Sequence, residues 1–297
     1  MRELVRAAAH VRHHQGAVMV LKIGGACLRK PRFQRALAEQ IATIQALGGR
    51  PVVVHGGGPQ IDAVQRSLGE QPRMVDGRRV TTPTALRALR MATAGELNGE
   101  LAAALTTAGS PAVGVCAADA GIVIATKRKP SSTSEGEVDF GAVGDVSTVD
   151  PAPLLGLIAQ GVTPVVCPPV GDGEGSFLNL NADTLAASLA GALNAAKLVL
   201  LTGEAGILGD PDDPESVLSA LGLATLEQLD ASGALRAGMK VKAAAVRLAI
   251  LAGVPKVHIV SGVDPEALLV ELYTSHGSGT LITAEEPEVA IAAHPVA

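Results

Sequence analysis

The chain has 297 residues, 47% of them hydrophobic and 18% charged, with a formal net charge of −5. That length suits one large α/β domain or two lobes sharing a sheet, and the acidic balance offers no basic face for nucleic acid or an anionic membrane. Aromatic residues are nearly absent, with Phe33, Phe140, Phe177 and Tyr273 and no tryptophan, which removes base stacking as a binding mode.

The first 17 residues lack a continuous apolar stretch of the kind a leader needs, and no run approaches about 20 apolar residues, so no membrane segment is expected. Apolar positions at helical spacing within LVRAAAHVRHHQG predict a helix ahead of the first strand. Cys27, Cys116 and Cys167 are scattered without a CxxC and read as reduced thiols in a cytoplasm. Cys27 reads as a small buried residue rather than a reactive thiol.

From Val18 onward, Val/Ile-rich runs alternate with helical stretches. Strands are predicted at Val18–Ile23, Pro51–His55, Pro111–Cys116, Gly121–Thr126, Thr163–Cys167, Lys197–Thr202 and Lys256–Ser261. Helices are predicted at Phe33–Leu47, Gln60–Leu68, Pro83–Ala108, Asp183–Asn194 and Lys240–Ala252. Several strands are apolar at consecutive positions, as expected when helices cover both faces of a parallel sheet. The pattern is that of a doubly wound α/β sheet. Lys127–Val138 reads as an exposed hairpin or flap, and Asp210–Leu229 as a loop followed by a short helix. A lobe boundary is expected near Asn179–Asp183, and order up to the last few residues.

Two glycine-rich segments follow apolar strands, VMVLKIGGA and PVVVHGGGPQ. Consecutive glycines at a strand end let backbone N–H groups and a helix N-terminus approach an anion. Lys22, ahead of Gly24 and Gly25, either snorkels to solvent or sits against transferring phosphoryl oxygens. Gly56, Gly57 and Gly58 before Pro59 form either an ordinary strand–helix turn or an anion cradle; the entropy cost of three glycines favours the cradle. His55 beside them reads as packed or hydrogen-bonded rather than as a catalytic base. Arg79 either grips a carboxylate bidentately or is solvated beside Arg78. Asn179, Asn181 and Asp183 alternate in FLNLNAD and could converge on one pocket, although Asp183 is also suited to cap the following helix. Lys240 and Lys242 oppose the dipole of their helix, which invites an anionic partner, and their spacing lets at most one reach it. No zinc signature, GxSxG or Walker loop is present.

Taken in order, VLKIGG, VVVHGGGPQID, GRRVTT, GELNGELAAAL, DFGAVGDV, LNLNADTLAASLA, GMKVKAA and HIVSG…LLVELYTSHGSGTLI resemble the amino-acid kinase superfamily, and within it the acetylglutamate kinases. The likeness spans essentially the whole chain. It implies a three-layer αβα sandwich around a mostly parallel open sheet. It also implies transfer of a phosphoryl group from ATP, with Mg²⁺ held mainly by the nucleotide, to the side-chain carboxylate of N-acetyl-L-glutamate in arginine biosynthesis. By resemblance, Lys22 and Lys242 stabilise the transferring group and Asp183 holds both lysines. Gly24, Gly25, Gly57 and Gly58 surround the phosphates, with Gly57 and Gly58 also meeting the acceptor. Arg79, Asn179 and Asn181 bind the acetylated amino acid. Thr202, Gly203, Gly206, Ile207, Leu208, Gly238, Met239, Lys240 and Lys242 line the nucleotide site.

The resemblance further implies an acceptor-binding and dimerisation lobe over 18–178, a nucleotide lobe over 179–297, and a helix in 1–17 that joins homodimers into a hexameric ring; the alternative is a helix that merely packs on its own subunit of a homodimer. His258, Glu271, Gly277 and Gly279 resemble the pocket through which L-arginine inhibits family members; the alternative is that Glu271 sits on a solvated helix end and the glycines form a surface turn. No dedicated protein metal site is implied. The chain departs from the family at Gly203, where aspartate is usual, and at Arg78, Thr82 and Lys240. A sister kinase for another acylated or carrier-linked amino acid, or a non-catalytic arginine sensor, are the competing readings.

Overall fold

The computed structural model describes residues 2–287 apart from 211 and 214. Residues 288–297, over which order is expected until the last few positions, lie outside the described residues, as do the side chains of residues 1–7 and 237.

Eight strands form one sheet: β1 (Val18–Ile23), β2 (Arg50–His55), β3 (Ala112–Cys116), β4 (Thr163–Cys167), β5 (Lys197–Thr202), β6 (Ala220–Gly222), β7 (Val257–Ser261) and β8 (Thr280–Thr283). Their spatial order is β6-β8-β7-β5-β1-β2-β4-β3. The six strands from β7 to β3 run parallel, and β8 turns antiparallel to β7. β1 therefore sits mid-sheet, flanked in register by β2 and β5, and the loops after all three open at one sheet edge.

The helices are α1 (Arg2–His14), α2 (Pro31–Ala46), α3 (Gly58–Ser67), α4 (Pro83–Arg90), α5 (Asn98–Thr107), α6 (Ala152–Ala159), α7 (Ala182–Ala192), α8 (Leu223–Ala231), α9 (Ala237–Leu251) and α10 (Ala267–Tyr273). They form a layer on each side of the sheet. Val20, Val52, Val54, Leu198 and Leu200 pack with α6, α7 and α9. Met19, Leu21, Val53, Val199 and Leu201 pack with α2, α5 and α10. Successive strand residues thus feed opposite cores, which explains why these strands read as unbroken apolar runs. The three-layer sandwich is the architecture found.

Three expectations need correction. The run predicted from Gly121 begins at Val123 and leaves the main sheet, joining Gly144–Val149, Pro169–Gly171 and Phe177–Asn179 in a separate four-stranded sheet. The helix predicted over Pro83–Ala108 is continuous but contains a π segment, Met91–Leu97. Asp183 does not cap α7. Asn181 does, its Oδ1 accepting the N–H groups of Asp183 at 2.8 Å and Thr184 at 3.2 Å, because the chain is still extended at Asn181. The flap expected at Lys127–Val138 contains a hairpin of Ser131–Thr133 with Gly136–Val138.

α1 rests on α10. His14, 1% exposed, stacks edge-on against Tyr273 at 5.1 Å between ring centroids, and neither ring nitrogen has a hydrogen-bond partner. Burial, followed by the charge of Lys197, pulls the His14 pKa down to about 3. An unfolded histidine titrates near pH ~6.5, so stability from this contact is complete above that value and is lost as pH falls toward the folded pKa. The melting temperature of His14→Phe is expected to fall less than that of the wild type between about pH 7 and about pH 5, read by circular dichroism; equal slopes would contradict it.

Candidate active site

Val20 and Lys22 share one face of β1, so Lys22 points toward the start of α7. There its Nζ lies 2.8 Å from Asp183 Oδ1, with both side chains 8% exposed. The contact is an ion pair by distance, but Oδ1 has no aligned hydrogen-bond donor. Asp183 stands in the first turn of α7, where the helix dipole favours a negative charge. Burial opposes ionisation of Asp183, but the charges of Lys22 and then Lys242 outweigh it and hold its carboxyl below the ordinary range. Lys242, on α9, has its own pKa lowered by burial while the Asp183 charge resists that shift. Two cations and one buried anion leave a net positive charge at this point, suited to a phosphoryl group.

The cations open into a cleft of about 380 Å³. Lys22, Gly24, Gly25 and Lys242 line its floor. Thr202, Gly203, Gly206, Ile207 and Leu208 line the side after β5, and Gly238 and Met239 the side before α9. Gly24 and Gly25 are pressed on two sides: a Cβ on the first would lie 2.9 Å from the Leu201 carbonyl oxygen, and one on the second 2.9 Å from Pro59 Cδ. The second contact joins the Lys22 loop to the triple-glycine loop.

Lys240 is exposed and is not among the residues that line the cleft; residues two apart on a helix face different directions. The expected convergence of Asn179, Asn181 and Asp183 is also not found. Asn179 donates to Thr81 Oγ1 at 3.0 Å, Asn181 is committed to the α7 cap, and only Asp183 reaches Lys22. Arg79 sits on a hairpin of Met74–Val75 and Arg78–Arg79. It is paired with Asp62 and donates to Gln65 Oε1 at 2.9 Å. Cys27 is buried against the Leu201 and Thr202 carbonyls, and burial pushes its thiol pKa up.

Glu204, Leu235 and Arg236 also line the cleft and were not legible as site residues. Glu204 places a carboxylate one residue beyond Gly203, where it acts electrostatically on Lys242. The signal for it is its position at the first polar turn after β5.

A second cluster forms beneath α1. Glu271 is 9% exposed, so it is not on a solvated helix end. Its Oε1 lies 2.6 Å from His258 Nδ1, and its Oε2 accepts the N–H groups of Ser278 at 2.6 Å and Gly279 at 2.9 Å. Gly277 packs against the same carboxylate. Lys197 reaches His258 Nε2 at 3.4 Å, and burial, followed by Lys256, lowers its pKa to about 8. Sequence reasoning missed Lys197, which opens an otherwise apolar strand.

Among the described residues no group of three metal-ligating side chains occurs, and no helix is long and apolar enough to cross a membrane.

Residues 17–261 match the amino acid kinase family. The chain is 43% identical to an acetylglutamate kinase of Myxococcus xanthus, covering 96% of this chain and 94% of that one. It is 39% identical to an acetylglutamate kinase of Symbiobacterium thermophilum, covering 94% and 96%. Among solved structures it matches N-acetylglutamate synthase from Neisseria gonorrhoeae, complexed with coenzyme A and N-acetyl-glutamate, with a TM-score of 0.83 and 28% identity. That match covers 96% of this chain but 63% of the synthase, so the chain spans less than two thirds of that enzyme. An isopentenyl phosphate kinase, at 20% identity and a TM-score of 0.60 over 90% of this chain and all of that one, shares the fold. The chain belongs to the amino acid kinase family and is a kinase. Within the family, its similarity to acetylglutamate kinases extends over nearly its full length.

Removing the α7 cap with Asn181→Ala should lower stability by about 1 kcal/mol, whereas Asn181→Asp should retain it. Thermal melts of the two variants check this. Lys240→Met should leave the KM for ATP unchanged in steady-state kinetics.

Proposed function

We infer that this chain transfers the γ-phosphoryl group of ATP to the side-chain carboxylate of N-acetyl-L-glutamate, a step of arginine biosynthesis. The observation that carries the mechanism is the buried Lys22–Asp183 pair with Lys242 acting on the same carboxylate. The acceptor carboxylate is already ionised at neutral pH, so no general base is needed. Catalysis then rests on alignment and on stabilising charge on the transferring group. Lys22 and Lys242 meet that group from its two ends, and Asp183 keeps both ammonium groups in place. The N–H groups of Gly57 and Gly58, at the start of α3, face the phosphoryl and the acceptor. Gly24 and Gly25 let the nucleotide phosphates approach the backbone.

Arg79, pre-oriented by Asp62 and Gln65, keeps further N–H groups for a carboxylate of the acceptor, with Asn179 beside it. The ATP base and ribose occupy the cleft between the turn after β5 and the start of α9, where the described residues offer apolar walls and glycine backbone. Mg²⁺ would be held mainly by the nucleotide and would supply additional charge neutralisation. Residues 18–178 thus carry the acceptor and 179–297 the nucleotide, on two lobes sharing the main sheet. Residues 1–17 join homodimers into a hexamer.

L-arginine is the proposed inhibitor, through His258, Glu271, Gly277 and Gly279. A solved structure of the related synthase is a complex with coenzyme A and L-arginine, at 26% identity and a TM-score of 0.79 over 96% of this chain and 65% of that one. Inhibition requires arginine to favour a lobe arrangement that separates donor from acceptor.

Hydroxamate formation with ATP, Mg²⁺ and N-acetylglutamate tests the reaction; product only with another acid would overturn the acceptor. Lys22→Met and Lys242→Met should each lower kcat by about 100-fold or more with the fold intact. Arg79→Lys should chiefly raise the KM for the acid, because a point charge cannot reproduce a bidentate fork. Arginine that neither inhibits nor shifts the melting temperature would remove the regulatory reading.

A further inference from the structure

His55 ends β2 immediately before the triple-glycine loop and is fully buried. The roles assigned above make no use of it. Its Nδ1 lies 2.8 Å from the Gly56 carbonyl oxygen, and its Nε2 lies 3.4 Å from Asn98 Oδ1. The orientation of the Asn98 amide is set at its other end, where Nδ2 donates to the Val115 carbonyl at 3.0 Å. Both imidazole nitrogens therefore face acceptors. Burial holds the ring below its ordinary pKa, so it is neutral at physiological pH and has one proton to donate. The shorter contact takes that proton. Nδ1–H donates to Gly56, and the Nε2 lone pair faces Asn98 at the longer distance.

The Gly56 carbonyl belongs to the same peptide unit as the Gly57 N–H. A hydrogen bond accepted at the carbonyl polarises the peptide and strengthens its N–H as a donor. Among the described residues no backbone carbonyl outside the regular elements takes the Gly57 N–H. The peptide is also held from behind. A Cβ on Gly57 would lie 2.7 Å from Leu97 Cδ1 and 3.3 Å from Thr93 Cγ2, both in the π segment that leads into Asn98. The local widening of the helix brings Thr93 and Leu97 onto the glycine and Asn98 onto the imidazole in one continuous turn. Asn98 is in turn backed by Gly114, where a Cβ would lie 3.0 Å from its Cγ.

We infer that His55 is a positioning residue for phosphoryl transfer: its Nδ1–H fixes and polarises the Gly56–Gly57 peptide, so that the Gly57 N–H is aligned before negative charge develops on the transferring group. Asn98 and the π segment keep the ring and the glycine in register. This rests on the reading that the Gly57 N–H faces the phosphoryl group. His55 itself touches neither substrate.

Two variants of matched shape test the role. Asparagine places its Nδ2 near the position of the imidazole Nδ1, and leucine has the same branching without the donor. His55→Asn should keep most of the wild-type kcat, while His55→Leu should lower kcat roughly ten- to a hundredfold with the KM for ATP unchanged. Packing alone would treat the two alike, so equal kcat values, high or low, overturn the inference. Should His55→Leu not fold, nitrogen NMR of the labelled wild-type protein decides: the expected ring carries its proton on Nδ1. A proton on Nε2 overturns the role of His55 and leaves the placement of Gly57 intact. An Nδ1–H ring together with equal kcat values overturns both, because the Gly57 N–H is then not the donor to the phosphoryl group.

Discussion

The buried ion pair between Lys22 and Asp183 is the contact on which the rest of the site depends. It joins the end of the central strand to the first turn of α7, and it is 2.8 Å long in surroundings that leave each side chain 8% exposed. Such a pair is weak support for stability by itself, because desolvation offsets much of its attraction. Its value lies in placement. The carboxylate fixes one ammonium directly and acts electrostatically on a second from α9, so three elements distant in sequence are referred to one point. A lone buried charge at either position would be costly, which ties local stability to the same residues that prepare the site for an anion.

Glycine provides the complementary constraint. Where Gly25 meets Pro59, and where Gly57 meets the π segment, side chains would collide with neighbouring atoms. The two glycine-rich loops are consequently packed on one another rather than free. Close backbone approach and rigid support arise from the same contacts, and N–H donors held this way need little reorganisation as charge develops.

The hairpin that carries Arg79 is built differently. Arg79 stands on a short hairpin braced by Asp62 and Gln65. Asp76, in the turn of that hairpin, accepts the Ser134 N–H at 3.0 Å and its hydroxyl at 2.5 Å. Arg73 pairs with Glu135 at 2.9 Å across the same junction. These contacts are exposed, so each contributes little individually, and this part of the molecule is held less firmly than the buried end of β1.

The sequence alone determined the main-sheet strands other than β6 and β8, and the two glycine-rich loops that follow β1 and β2. Strands buried on both faces need unbroken apolar runs, and glycine before a helix leaves a local mark. The kinase class was legible because eight motifs keep their order along the chain. Tertiary structure decided what depends on neighbours remote in sequence. Asn181 took the helix cap and freed Asp183, since the chain at Asn181 is still extended. The strand at Val123–Lys127 left the main sheet because its partners, Gly144–Val149 and Pro169–Gly171, lie outside that sheet. Lys242 faces the cleft and Lys240 does not, a choice set by how α9 packs on α7. Lys197 and the Asn98–His55 contact carry no sequence signature at all, because a lone polar residue acquires its meaning only from the groups that burial brings against it.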